Sequence, residues 1–114
     1  ILNICFDIHK KYGPGLFEKV YEEIICYEVG KKGASFKRQE KIGFFHDGIK
    51  MDVGFIADII VEDLVLIEIK SVARLEDVHY KQVLTYLKLT GLRLGLLINF
   101  NEALLKNGIK RIAN

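Results

Sequence analysis

The chain has 114 residues, half of them apolar, 28% charged and one of them proline, a balance that excludes a disordered or low-complexity protein and fits one compact domain over residues 1–114. Its longest apolar stretches, such as LGLLI, fall far short of the roughly 20 residues that a membrane-crossing helix requires. A formal net charge of +2 is too small to announce a nucleic-acid partner, so charge leaves the partner open.

The first residues, interrupted by Asn3, Asp7 and His9, lack the cleavage site of a leader, and with no initiator Met further residues are expected upstream of Ile1. Ile1, Ile4, Cys5, Ile8 and Tyr12 recur at helical spacing until Gly13-Pro14-Gly15 breaks the pattern. A second helix follows, with an expected inward face of Phe17, Val20, Tyr21, Ile24, Tyr27 and Val29, closed by Gly30 and Gly33. Cys5 and Cys26 fall inside these helical patterns without metal or disulfide spacing, and are expected to be buried free thiols of a cytoplasmic protein.

Beyond Gly33 the texture turns to β-branched and aromatic residues, from Phe36 to Phe45 and from Ile49 to Val61, around the turn-like His46-Asp47-Gly48. Leu64 to Ile69 is a nearly continuous apolar run, as expected for a central strand buried on both faces. Leu75 to Thr90 returns to helical spacing through Val78, Gln82 or Val83, Tyr86 and Leu89, with Gly91 as its C-terminal cap, and Leu92 to Phe100 reads as another buried strand. Leu104, Leu105, Ile109 and Ile112 suggest a short helical turn and an edge strand. The predicted fold is α/β: a central mixed β-sheet flanked by helices, in the order helix, helix, three strands, helix, strand, with a right-handed crossover between the two buried strands.

A charged residue inside a doubly buried strand costs several kcal/mol unless it is paired or binds a metal. Glu68 and Lys70 read on periodicity alone as a strand end reaching solvent, but Asp58, set among Ile56, Ala57, Ile59 and Ile60, makes a site the better reading. Two acids on neighbouring antiparallel strands with a nearby lysine suit one Mg²⁺, which takes a few carboxylate oxygens and keeps its other positions for water and phosphate. The pairing sets a condition. A two-residue loop at Glu62-Asp63 would put Asp58 opposite Ile67, whereas a three-residue loop including Leu64 would put it opposite Glu68.

Asp58, the tripeptide Glu68-Ile69-Lys70 and the helical pair Gln82 and Tyr86 in QVLTYL resemble the core motifs of the restriction-endonuclease-like PD-(D/E)XK nuclease superfamily. The run Gly15-Leu16-Phe17-Glu18-Lys19-Val20-Tyr21 is similar to the signature of the GxxExxY protein family within it; the proline of the superfamily name is replaced here by Ala57. The resemblance implies that Asp58 and Glu68 ligate a divalent metal, Mg²⁺ or Mn²⁺, with the Ile69 carbonyl as a further ligand and Glu18 joining directly or through water. It implies that Lys70 activates water or stabilises charge, that Gln82 assists, and that Tyr86 and Gln82 meet the substrate. The implied activity is hydrolysis of nucleic-acid phosphodiester bonds, DNA favoured over RNA, with no membrane partner and with a homodimer or protein partner as a source of selectivity.

Each of these residues also has a structural reading. Glu18 in a first helical turn favours the helix dipole by about 0.3 to 1 kcal/mol, Tyr86 fits a core aromatic, Gln82 a solvent-facing residue and Tyr21 a packing residue with its hydroxyl bonded near the site. His9, His46 and His79 form no ligand set, and the clusters Lys10-Lys11, Lys31-Lys32, Lys37-Arg38-Lys41 and Lys106-Lys110-Arg111 read first as solvated faces. The rival function is a non-catalytic module that binds nucleic acid or protein on the same fold.

Overall fold

The computed structural model describes residues 1–114. Leu2–Tyr12 (α1) and Glu18–Lys31 (α2) form the helical hairpin, followed by Phe36–Ile42 (β1), Phe45–His46 (β2), Ile49–Lys50 (β3), Phe55–Val61 (β4), Val65–Lys70 (β5), Asp77–Thr90 (α3) and Leu94–Asn99 (β6). A 3-10 turn at Leu105–Gly108 then leads into Ile109–Ala113 (β7), the edge strand suggested by the apolar spacing. No helix is long and apolar enough to cross a membrane.

Five strands form one sheet in the order β1-β4-β5-β6-β7. β5 and β6, joined through α3, are parallel, and the remaining neighbours are antiparallel, giving the mixed sheet that the alternation of elements predicts. Helices cover both faces. Ile59, Val61, Ile67, Ile69 and Ile98 pack with α1 and α2, while Ala57, Ile60, Leu66 and Leu97 pack with Val83, Tyr86 and Leu87 of α3. Fully burying an aliphatic side chain of this kind contributes about 1.5 to 3 kcal/mol, so these two layers fix β5 at the centre.

The expected strand from Phe36 to Phe45 is shorter than its composition suggests. Asp47 and Gly48 both have positive φ, 51° and 74°, as in a type I′ turn, and pair β2 with β3 as a separate small hairpin. β1 therefore pairs with β4 across this excursion.

The inward face of α2 also differs from its apolar spacing. Tyr21, Glu22, Ile25, Cys26 and Val29 are buried, whereas Phe17 is 83% and Tyr27 65% exposed, with Val20 also exposed. The buried stripe accommodates Glu22 because partners on β1 reach it. In α3, Val83 and not Gln82 enters the core, and Val78 and Leu89 are exposed. Both cysteines are free and buried, and burial pushes the Cys5 thiol up to about 12 and Cys26 to about 11, so neither is a reactive thiolate.

The turn between the first two helices is tied to the core through Tyr21. Its hydroxyl donates to the Gly13 carbonyl at 2.6 Å and accepts from the Leu16 N–H at 3.2 Å, rather than meeting Glu18. Its ring stacks on Phe100 with centroids 4.3 Å apart. Gly13, at φ 68°, supplies the left-handed conformation that lets the chain turn back toward this hydroxyl. Tyr21→Phe keeps the stack but leaves two backbone groups without this partner, and is expected to lower unfolding stability by about 1 to 3 kcal/mol in urea titrations.

Candidate functional site

The hairpin between β4 and β5 meets the register condition. Glu62, Asp63 and Leu64 form its turn, Glu62 and Asp63 in left-handed backbone conformation at φ 54° and 52°. Val61 pairs with Val65, Ile60 with Leu66 and Ile59 with Ile67, a register that carries Asp58 opposite Glu68. The loop is anchored from outside: the Glu62 carboxylate accepts from the Ser35 N–H at 3.2 Å and its hydroxyl at 2.8 Å, and Lys37 pairs with Asp63 at 3.0 Å.

At the Asp58–Glu68 rung, carboxylates stand in for the backbone ladder. The Asp58 N–H donates to Glu68 Oε1 at 2.9 Å, and the Ile69 N–H donates to Asp58 Oδ2 at 2.8 Å. Each acid is thus held by a main-chain group of the opposite strand. Alternation along β4 is broken at this point, since Ala57 and Ile60 face α3 while Ile59 and Val61 face α1 and α2. Such a break is how a sheet re-aims one side chain without leaving the pairing.

Burial dominates the electrostatics, with repulsion from a neighbouring acid added to each carboxylate, Asp58 acting on Glu68 and Glu22 on Asp58. Glu68 is buried, and desolvation together with the Asp58 charge pushes its pKa up to about 8, against the pull of the Asp58 N–H and the Lys70 ammonium. Asp58 is raised above the usual carboxylate range by burial, an effect opposed chiefly by the Ile69 N–H. Neither carboxylate takes part in an ion pair. The result is a pair of hard oxygen donors with more negative charge than their surroundings neutralise.

The other sequence candidates occupy three positions around this pair. Lys70, half-buried at the end of β5, lowers the pKa of both acids without touching either as an ion pair. Tyr86 is buried on α3 with Gln82 beside its hydroxyl, and burial and the Glu68 charge raise its pKa. Glu18 is exposed; its charge reaches Glu68, but its Oε1 accepts from the Ser71 N–H at 3.3 Å. No group of three His, Cys, Asp or Glu side chains is close enough to hold a metal, so Glu18 does not close a ligand cluster with Asp58 and Glu68. The group of Ile69 that meets Asp58 is its N–H.

His79 is a capping residue, its Nδ1 accepting from the Glu76 N–H at 2.9 Å at the start of α3. His9 bonds the Glu102 carbonyl at 2.8 Å. Beside Glu18 and Ser71 runs an open groove of about 720 Å³, also lined by Leu16, Phe17 and Asn101.

Three neighbours of the acid pair escape a sequence reading. Glu22 is buried and accepts from Arg38 Nε and Gln39 Nε2, both at 2.6 Å, and Gln39 Nε2 also lies 3.3 Å from Asp58 Oδ1. Glu22 is one helical turn beyond Glu18, so the spacing of two acids on one helix face is the signal that points to it. Arg38 leaves the solvated basic cluster in which its sequence neighbours place it.

A mixed sheet with two acids facing each other across its central antiparallel hairpin, a lysine two residues past the second acid, and helices on both sides defines a nuclease-like α/β fold. The chain belongs to the PD-(D/E)XK nuclease superfamily, whose family model matches residues 1–112. No curated protein and no solved structure gives a significant match.

The acid pair has a consequence for stability. The folded-state pKa of Glu68 lies above its ordinary value of 4.5, so the native state holds the proton more tightly than the unfolded chain. Its contribution to stability is complete below pH 4.5 and is lost as pH rises toward 8. Thermal melts in a chelator should therefore show the melting temperature falling across this window. Glu68→Gln should flatten the fall.

Proposed function

We propose that this protein is a divalent-metal-dependent nuclease, with DNA favoured over RNA, acting at Asp58, Glu68 and Lys70. The observation that carries the reading is the acid pair itself: two carboxylates on one rung of the central hairpin, held by each other's strands and left without an ion-pair partner. A buried charge pair of one sign is costly, and a hard cation is the partner its oxygens suit. Mg²⁺ commonly uses only one or two protein carboxylates and completes its shell with water and phosphate, which agrees with a site that has no third acid in reach.

Asp58 and Glu68 would hold the metal, with the Ile69 carbonyl as the further ligand and Glu18 acting through water. When bound, Mg²⁺ or Mn²⁺ would supply Lewis-acid polarisation of the phosphoryl group and a more acidic water. Lys70 has the ammonium to neutralise charge developing on the phosphoryl oxygens. Gln82 and Tyr86 lie on the Glu68 side, where an amide and a hydroxyl suit contacts to phosphate or base. The open groove beside Glu18 suits an extended strand better than a small enclosed substrate.

The Gly15 to Tyr21 signature supports membership in the GxxExxY family within the superfamily. Two buried free thiols fit a reducing compartment such as the cytoplasm. Recognition of a particular sequence would draw on a second copy of the chain or a protein partner.

The reading is tested by incubating the protein with DNA and RNA in Mg²⁺ or Mn²⁺. Asp58→Ala, Glu68→Ala and Lys70→Ala are each expected to lower kcat by about two to three orders of magnitude. At pH 8 Mn²⁺ should raise the melting temperature of the wild type and not of Asp58→Ala. Absence of cleavage together with absence of a metal-dependent shift would sink it. The alternative is a non-catalytic module that binds nucleic acid or protein on the same fold; salt-dependent binding of nucleic acid without cleavage in any metal would be its mark.

A further inference from the structure

A regular β-strand sends consecutive side chains to opposite faces. Arg38 and Gln39 are consecutive in β1, yet both reach the same buried carboxylate, Glu22 of α2. The backbone explains how. Gln39 has φ 52°, a left-handed conformation unusual for a non-glycine residue and rarer still inside a strand. β1 and β4 keep one register on both sides, Arg38 with Ile59 and Glu40 with Ala57, so Gln39 stands on the Asp58 rung. The break in alternation on β4 and the left-handed residue on β1 face each other.

The amide of Gln39 has two protons and two acceptors near it. Glu22 Oε1 accepts at 2.6 Å and Asp58 Oδ1 lies at 3.3 Å, while Asp58 Oδ2 is already bonded to the Ile69 N–H. A carboxylate bonded at both oxygens, to groups on the two strands that flank it, has no freedom left to rotate. Glu22 is itself fixed by Arg38 at 2.6 Å, so the amide hangs from an anchored acceptor. Backbone strain held at a position where the side chain bridges a buried acid to a site residue is where a positioning role is expected.

We propose that Gln39 is a positioning residue for Asp58: its left-handed backbone, anchored through Glu22, swings the amide across to orient the Asp58 carboxylate toward the ligand it shares with Glu68. The proposal rests on the functional reading of Asp58 given above and adds residues to it that touch neither metal nor substrate. Neutral amides that donate to ligating carboxylates commonly set metal affinity in this way.

Gln39→Gly is the informative substitution, because glycine accepts the left-handed backbone and only the bridge is lost. Gln39→Asn also tolerates the conformation but its shorter amide does not span both acceptors. In the metal-free protein the Ile69 amide resonance reports the hydrogen bond to Asp58 Oδ2. It is expected to move in Gln39→Gly while amides of β6 stay in place, with the melting temperature lowered by the donor that the buried Glu22 carboxylate loses. In Mn²⁺ calorimetry Gln39→Gly should bind about 10- to 100-fold more weakly than wild type, with Gln39→Asn showing the same direction of loss.

An unmoved Ile69 amide overturns the positioning role whether or not metal binds. So does Mn²⁺ affinity within twofold of wild type in both variants. If the Ile69 amide moves but wild type binds no Mn²⁺ that Asp58→Ala removes, the metal reading of the site fails while the hold of Gln39 on Asp58 stands.

Discussion

Two hydrogen bonds across the β4–β5 hairpin, from the Asp58 N–H to Glu68 and from the Ile69 N–H to Asp58, decide what the centre of this sheet can do. They let two carboxylates sit where a ladder of backbone bonds would otherwise continue, each satisfied by the main chain of the other strand. A buried acid without such donors would leave its oxygens unsatisfied or be expelled. With them, the acids stay inside at the cost of desolvation, which raises both pKa values, Glu68 further through the Asp58 charge and Asp58 through that of Glu22. The rest of the fold serves this rung: two helices seal one face, α3 the other, and the crossover to β6 keeps β5 in the middle.

A strained residue lies beside that rung on one side, and a hydrogen-bonded clamp holds the end of β5. Toward β1, Gln39 takes a left-handed backbone and links Asp58 to the buried Glu22, which Arg38 fixes from the same strand. Beyond the C-terminal end of β5, Asn99 holds the connection to α3: its Oδ1 accepts from the Val72 and Asn101 N–H groups at 3.1 and 3.2 Å, and its Nδ2 donates to the Val72 carbonyl at 2.9 Å. Lys70 is the last residue of β5 before this clamp, and its carbonyl accepts from the Phe100 N–H at 2.9 Å. The acids and the lysine are therefore carried on backbone that is fixed at both ends, which is the condition a site needs to hold a geometry.

Much of this was legible in sequence because it depends on spacing. The central strand follows from an unbroken apolar run and the parallel pair from the helix between two such runs, whereas the opposition of Asp58 and Glu68 was legible only as a condition on the loop, which the three-residue turn at Glu62, Asp63 and Leu64 meets. What escaped depends on single residues acting against their usual pattern. The buried stripe of α2 includes Glu22 and leaves Phe17, Val20 and Tyr27 in solvent, so apolar spacing placed Tyr21 and Val29 correctly but drew the inward face too wide. One left-handed glutamine in β1 leaves no periodic trace, and neither does the choice of Tyr21 to bond Gly13 and Leu16. Glu18 shows the limit of motif reasoning in particular: the GxxExxY spacing puts it at the start of α2, but its hydrogen bond is to Ser71, and its reach to the acid pair is electrostatic.

On the function proposed above, the acid pair is a cation site whose Glu68 holds a proton until the cation arrives. Calorimetry of Mn²⁺ binding at pH 7 in buffers of different ionisation enthalpy measures it directly, because the buffer dependence counts protons released. Burial pushes the pKa of Glu68 up to about 8, so it holds a proton that the metal-ligating form proposed for it would release. Release of about one proton per Mn²⁺ bound is predicted, falling to none in Glu68→Gln. Binding without proton release, or no binding at all, would contradict the account.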